Sequence, residues 1–144
     1  MNRNIYIAGP MRGYPLYNFA AFMLAATALR KTGNIVHSPA EIDMAKGFNP
    51  AEPLDSENNA KVFDINGALR EDFRIITNGE VDTIVLLPGW RESSGASAEA
   101  VVAYYSGVML FEVTHLEGKE CMLEQLSAAP VVKFETSEPE YTGV

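Results

Sequence analysis

Residues Asp82–Gly107, DTIVLLPGWRESSGASAEAVVAYYSG, decide the fold. DTIVLL (82–87) is a nearly unbroken apolar run rich in β-branched residues, the pattern of a strand covered on both faces. Pro88-Gly89-Trp90 breaks it. From Gly95 small and apolar residues continue to Gly107, which predicts a helix over 95–107. Strand, Gly/Pro-containing loop and helix recur on both sides of this segment. Asn4–Ala8 (NIYIA) predicts a buried strand ended by Gly9-Pro10, followed by the loop MRGYPLY. Asn18 then stands as the N-cap of a helix over 18–32, where Phe19, Phe22, Ala26 and Leu29 return at three- and four-residue steps and Gly33 is the stop.

NIVH (34–37) predicts a second strand, stopped by Ser38-Pro39. Residues 39–62 hold three prolines and many polar side chains without periodicity, and are expected to be a long functional loop. A helix is expected over Phe63–Asn78, a strand over Val108–Val113, a helix over Glu120–Ala128 and a last strand over Val131–Phe134. The acidic tail 135–144 is expected to be loose. The alternation argues for one α/β domain over 1–134, a three-layer sandwich around an open parallel sheet of about five strands. Ligands of such sheets bind beyond the carboxyl ends of the strands. Those ends are the Gly9–Gly13 loop, the 39–62 loop and the Pro88–Gly95 loop.

Nineteen acidic against eleven basic residues give a net charge of −8, with no basic run longer than Arg30-Lys31. That balance excludes a nucleic-acid polymer or an anionic membrane as partner, because counterion release needs clustered cations. The longest apolar stretch, Phe19–Leu29, is about half a membrane span. A single cysteine, Cys121, fits a reducing cytoplasm, and His37 and His115 are too few and too separated to build a histidine metal centre. Both histidines read as structural.

Two carboxylates are out of place. At roughly 100° per residue, Asp72 falls among Ile65, Leu69 and Ile76 on the apolar face of its helix. Either it sits at the rim and pairs with Arg70, Arg74 or a loop amide, or it faces a cleft as an acid or base of raised pKa. Glu99 lies near the start of the helix opened by Ser93-Ser94-Gly95, where free N–H groups and the helix dipole favour an ionised carboxylate. It is either a capping group or a nucleophile toward an oxocarbenium-like carbon. A protonated and an ionised carboxyl group at neighbouring loop–helix junctions form the pattern that cleaves glycosidic bonds. Met11 and Trp90 either sandwich a planar base or pack. GxxxxGK[ST], GxGxxG and GxSxG are all missing, which sets aside P-loop, dinucleotide and serine-hydrolase readings.

IYIAGPMRG, the N-xxx-F helix start at Asn18 and Phe22, LREDF at Leu69–Phe73, DTIVLLPGW and SSGASAE together resemble the nucleoside 2-deoxyribosyltransferase-like superfamily, in its short bacteriophage-type branch. The resemblance covers about residues 4–113 and includes relatives of the 2′-deoxynucleoside 5′-phosphate N-hydrolases. It implies a flavodoxin- or Rossmann-like fold and cleavage of an N-glycosidic bond through a covalent deoxyribosyl–glutamate intermediate. It assigns Glu99 as nucleophile, Asp72 as the acid on the leaving base, and Tyr6 as the tyrosine touching sugar and nucleophile. Gly9, Arg12, Ser93 and Gly95 match its loop positions lining the sugar or its 5′ side, and with Pro10, Met11 and Trp90 beside them make up the expected substrate-binding set. Pro10 stands where the monophosphate hydrolases carry serine, and Ser93 where many transferases carry aspartate, so both acceptor and 5′ group stay open.

The expected activity is thus hydrolysis or transfer on a small-molecule nucleoside or nucleotide, with no metal or redox cofactor. A nucleotide-binding or sensing protein without turnover is the alternative, and hydrolysis of an NAD-type ribosylated molecule a fainter one. Phe19, Phe22, Met23 and Leu24 on the first helix, and Val101, Val102, Tyr104 and Tyr105 on the later one, exceed one packing face. A homodimer or larger homo-oligomer is expected.

Overall fold

The apolar run NIYIA forms β1 (Asn4–Ala8) and the run after Asp82 forms β3 (Thr83–Leu86) in the computed structural model, which describes residues 2–130. With β2 (Ile35–His37), β4 (Met109–Glu117) and β5 (Glu120–Leu126) they make one sheet in the order β2-β1-β3-β4-β5. The first four strands are parallel, Tyr6 pairing with His37 on one side and Ile84 on the other. The connecting helices are α1 (Phe19–Lys31), α2 (Pro39–Ala45), α3 (Glu57–Val62), α4 (Ile65–Thr77) and α5 (Ser94–Tyr105). The architecture is the expected α/β sandwich.

Successive side chains of β1 point to opposite faces, and this alternation sorts the core into two layers. Ile5 and Ile7, with Val85 and Leu87, pack against Phe19, Phe22 and Leu29 of α1 and Ala40 of α2. Tyr6 and Ala8, with Ile84 and Leu86, face Ile76 of α4 and Ala96, Ala100 and Ala103 of α5. Tyr6 is therefore on the same side of the sheet as Asp72 and Glu99. The strand order reverses direction at β1, so the crevice between the ends of β1 and β3 is the topological switch point where such sheets bind ligands.

Three expectations are corrected. The helix expected over Glu120–Ala128 is instead strand β5, antiparallel to β4 from Leu110↔Leu126 to Glu117↔Glu120. Glu, Met, Leu and Gln give ECMLEQL a helical propensity, which pairing with β4 overrides. Gly118, at φ 57°, supplies the left-handed first position of a two-residue hairpin turn. The segment 39–62 is not one loop but carries α2 and α3, each too short to display a period. Pro39 opens α2 at a position where its missing N–H costs nothing, and the Ser56 hydroxyl caps α3 by accepting from the Asn59 N–H at 3.0 Å. Asn18 does not cap α1; it is left-handed, and its side chain donates to the Pro10 carbonyl at 2.8 Å. The strand expected at Val131–Phe134 and the tail 135–144 lie outside the described residues. No helix among the described residues is long and apolar enough to cross a membrane.

Candidate functional site

β1 is followed by Gly9, where nothing larger fits: a Cβ there would lie 2.7 Å from Leu87 Cβ. The chain then runs through Pro10, Met11 and Arg12 into a turn in which Leu16, Tyr17 and Asn18 all have positive φ. β3 ends at Pro88, and Gly89, at φ 85°, sends the chain into a 3₁₀ turn (Trp90–Glu92). The Ser93 hydroxyl caps α5 by accepting from the Ala96 N–H at 3.2 Å. The Ser97 hydroxyl reaches back to the Trp90 carbonyl at 3.1 Å and so ties the turn to the helix.

Between these loops lies a cavity of about 360 Å³, a size suited to a small molecule. Gly9, Pro10, Met11, Arg12, Asp72, Ser93, Gly95 and Glu99 all line it. Eight of the ten residues expected at the site thus share one cavity wall. A ninth, Tyr6, is fully buried next to that wall, under the influence of both Asp72 and Glu99. Trp90 is the exception. It is only 4% exposed and packs in the core with Ala96, Ala100 and Ala103 of α5. Arg91 stacks on it, 4.5 Å from guanidinium carbon to ring centre.

Glu99 is 7% exposed, and its Oε2 has no hydrogen-bond partner among the described residues; the same is true of the Tyr6 hydroxyl. Burial, then the charge of Asp72, push the Glu99 carboxyl up to about 8, while Tyr6 pulls in the opposite direction. Burial, then the charge of Asp43, push Asp72 up to about 7. Burial and the same two carboxylates raise the Tyr6 phenol further, so it stays protonated. Burial thus works against the ionised form expected of Glu99 from its place near the helix start. Glu99 lies one turn beyond the α5 N-terminus, where the dipole has faded, and desolvation wins. No ion pair joins Asp72 to Arg70 or Arg74 among the described residues, and both arginines are exposed. The rim reading of Asp72 gives way to a carboxyl group facing the cavity.

Sequence reasoning placed the 39–62 segment at the ligand end of the sheet but named none of the residues of the far wall. Asp43 on α2, Phe48, Leu54, Phe63 and Tyr17 complete the cavity. Phe48 is held by Tyr17 and Phe63, each 5.4 Å between ring centres, and by Phe19 at 5.8 Å. The fully buried Asn59 organises the backbone behind them: its side chain donates to the carbonyls of Asn49, Glu52 and Pro53 and accepts from the Asn49 N–H at 2.9 Å. The one available signal was the position of this segment after β2, at a carboxyl end. A larger hollow, about 570 Å³, opens at the opposite end of the sheet around Arg3, Thr83 and Cys121. It contains no pair of buried carboxyl groups.

Among the described residues no group of three or more His, Cys, Asp or Glu is arranged to hold a metal ion. No curated protein and no solved structure matches the chain. A family model, the domain of unknown function DUF4406, matches residues 3–112, so the chain belongs to the DUF4406 family.

Proposed function

We propose that this protein cleaves, or transfers at, the N-glycosidic bond of a 2′-deoxynucleoside or its 5′-monophosphate. The observation that carries the reading is that half-buried Asp72 and buried Glu99 line one ligand-sized cavity beside the Tyr6 phenol, with burial and then the Asp72 charge raising Glu99. At neutral pH such a pair holds about one proton between its members. Positive charge developing at C1′ favours ionised Glu99 and leaves the proton with Asp72. A Glu99 oxygen then bonds to C1′ as the C1′–N bond breaks, and that bond's electron pair leaves with the base, which takes the proton of Asp72. Asp72, now a carboxylate, removes a proton from water or an incoming base, whose attack on C1′ releases Glu99 with net retention. Tyr6 orients the Glu99 carboxylate. Arg12, Ser93 and Gly95 also line the cavity, and a cation and a helix N-terminus are suited to a hydroxyl or phosphate.

No step asks for a metal or redox group. The free, half-buried Cys121 supports a reducing, cytoplasmic setting. The test is base release from a panel of deoxynucleosides and their monophosphates, read by chromatography. Glu99→Ala should lose at least about a thousandfold and Asp72→Asn about 10²–10⁴-fold. Undiminished release by Glu99→Ala overturns the mechanism. Thermal stabilisation by these ligands without any base release would instead mark a binding or sensing protein.

A further inference from the structure

The second hollow, about 570 Å³, lies between the sheet, the C-terminal half of α1 and the β4–β5 hairpin, and shares no lining residue with the carboxyl-lined cavity. Its floor is apolar, with Ile5 and Leu29 buried and Phe111 half-buried beside them. The hairpin adds Met122 and Leu123, 57% and 37% exposed. Arg3 also lines the hollow, and one edge of its guanidinium is fixed. Nη1 donates to the Thr83 hydroxyl at 3.2 Å and to Met109 Sδ at 3.2 Å, and the group stacks over Phe111, 5.1 Å from the ring centre. Among the described residues Nε and Nη2 make no hydrogen bond, and no carboxylate pairs with Arg3. Asp82, next to Thr83, is spent on the Thr83 hydroxyl and the Asn4 N–H. Lys119, in the hairpin turn, is the second cation of the wall and has no ion pair among the described residues either. Glu120, the one acid of the wall, lies 3.8 Å from His115.

We propose that this hollow is a second ligand site, taking a small amphipathic carboxylate whose acid group pairs with Arg3 and whose apolar body covers Ile5, Phe111 and Met122. The Nε–H and Nη2–H of a guanidinium lie parallel in one plane and match the two oxygens of a carboxylate. Ordering a long arginine side chain costs conformational entropy, and here Thr83, Met109 and Phe111 have already ordered it through the opposite edge. The fork is therefore in place before an anion arrives. The charge balance directs an anion to the same place. Two cations stand against one acid in this hollow, whereas Arg12 stands against Asp43, Asp72, Glu92 and Glu99 in the other cavity. In a chain of net charge −8 that contrast decides which of the two an organic anion enters.

Cys121, the single cysteine of the chain, lines this hollow and is half-buried, so its reactivity reports occupancy. The experiment follows alkylation of Cys121 by iodoacetamide, read by intact mass. It is run with hexanoate, with hexanamide of the same shape and no charge, and with sodium chloride at matched ionic strength. Hexanoate at about 10 mM should slow the reaction at least about threefold and in a saturable way, while hexanamide and salt leave it near the rate of the protein alone. Arg3→Gln, with native circular dichroism, should lose most of the protection, and Arg3→Lys, which keeps the charge without the fork, should recover only part of it. Arg12→Gln, in the other cavity, should protect like the wild type. Equal slowing by hexanamide, no slowing by hexanoate up to about 50 mM, unchanged protection in folded Arg3→Gln or lost protection in Arg12→Gln each overturns the proposal. If Arg3→Gln does not fold, the comparison of hexanoate with hexanamide on the wild type still decides it.

Discussion

Tyr6 spends a buried hydroxyl on no hydrogen bond of ordinary geometry, which in a core built for stability alone would be replaced by phenylalanine. The hydroxyl stands instead beside two carboxyl groups whose own charged forms are disfavoured. Tyr6→Phe should therefore leave stability unchanged or raise it by up to about 1 kcal/mol, while base release falls by at least about tenfold. Urea denaturation and the release assay on the same preparation check both halves. A variant that loses stability and keeps activity would mean that the hydroxyl is structural. Glu99 behaves in the same spirit: its Oε2 is buried without a partner, so the site holds a group ready for a ligand at the expense of the fold.

At the level of elements, the cavity has one wall built by strand ends and another built by a short-helix segment. The first wall is rigid, because Gly9 and Leu87 are in contact and the strands beneath them are fully buried. The second is braced by Asn59, whose amide donates among the carbonyls of Asn49, Glu52 and Pro53 and adds to the donors these already have in Glu52 N–H, the Tyr17 hydroxyl and Ser56 N–H. Asn59→Ala removes the acceptor of the Asn49 N–H and one donor from each of three carbonyls, which keep a second donor, and should cost about 1–2 kcal/mol. The loss should be local before it is global. Proteolytic cutting within residues 47–58 should speed up at temperatures where far-ultraviolet circular dichroism is still native. Protection equal to that of the wild type would show that Phe48 and its aromatic neighbours hold the wall without Asn59. The hairpin of β4 and β5 has no such dependence, since its register is set by backbone pairing and the Gly118 turn.

For the molecule as a whole, Asp72 and Glu99 bind protons more tightly folded than unfolded. Between their ordinary values of 3.8 and 4.5 and the folded values of about 7 and about 8, the native state keeps protons that the unfolded chain has released. Their contribution is complete below about pH 4 and is lost as pH rises through 7 to 8. Asp43 adds to the same slope up to about 6. Glu41, held down by Arg30, has the opposite sign but sits in a largely exposed pair of small worth. Urea midpoints should fall from pH 5.5 to pH 8.5, by on the order of a few kcal/mol in stability, and Asp72→Asn should flatten the fall. A midpoint that rises over this range contradicts the burial of the pair. Of the residues expected to seek another subunit, Phe19 and Phe22 are spent on the core, while Met23, Leu24, Tyr104 and above all Tyr105, 77% exposed, are not. Light scattering at micromolar concentration should give at least about twice the 15.8 kDa of one chain, and Tyr105→Glu should lower it. A clean single-chain mass for the wild type would rule out the oligomer. What the sequence by itself determined is what neighbours in the chain can record. Unbroken apolar runs mark β1 and β3, three-and-four spacing marks α1, and two acids in apolar helices mark Asp72 and Glu99. Only the tertiary structure decided that ECMLEQL is a strand, that Trp90 is core, that Asp43 lines the cavity and that Asn59 braces the segment behind its wall. It also set burial against the ionised form of Glu99. Pairing, desolvation and charge coupling act between residues distant in sequence, and no local pattern carries their sum.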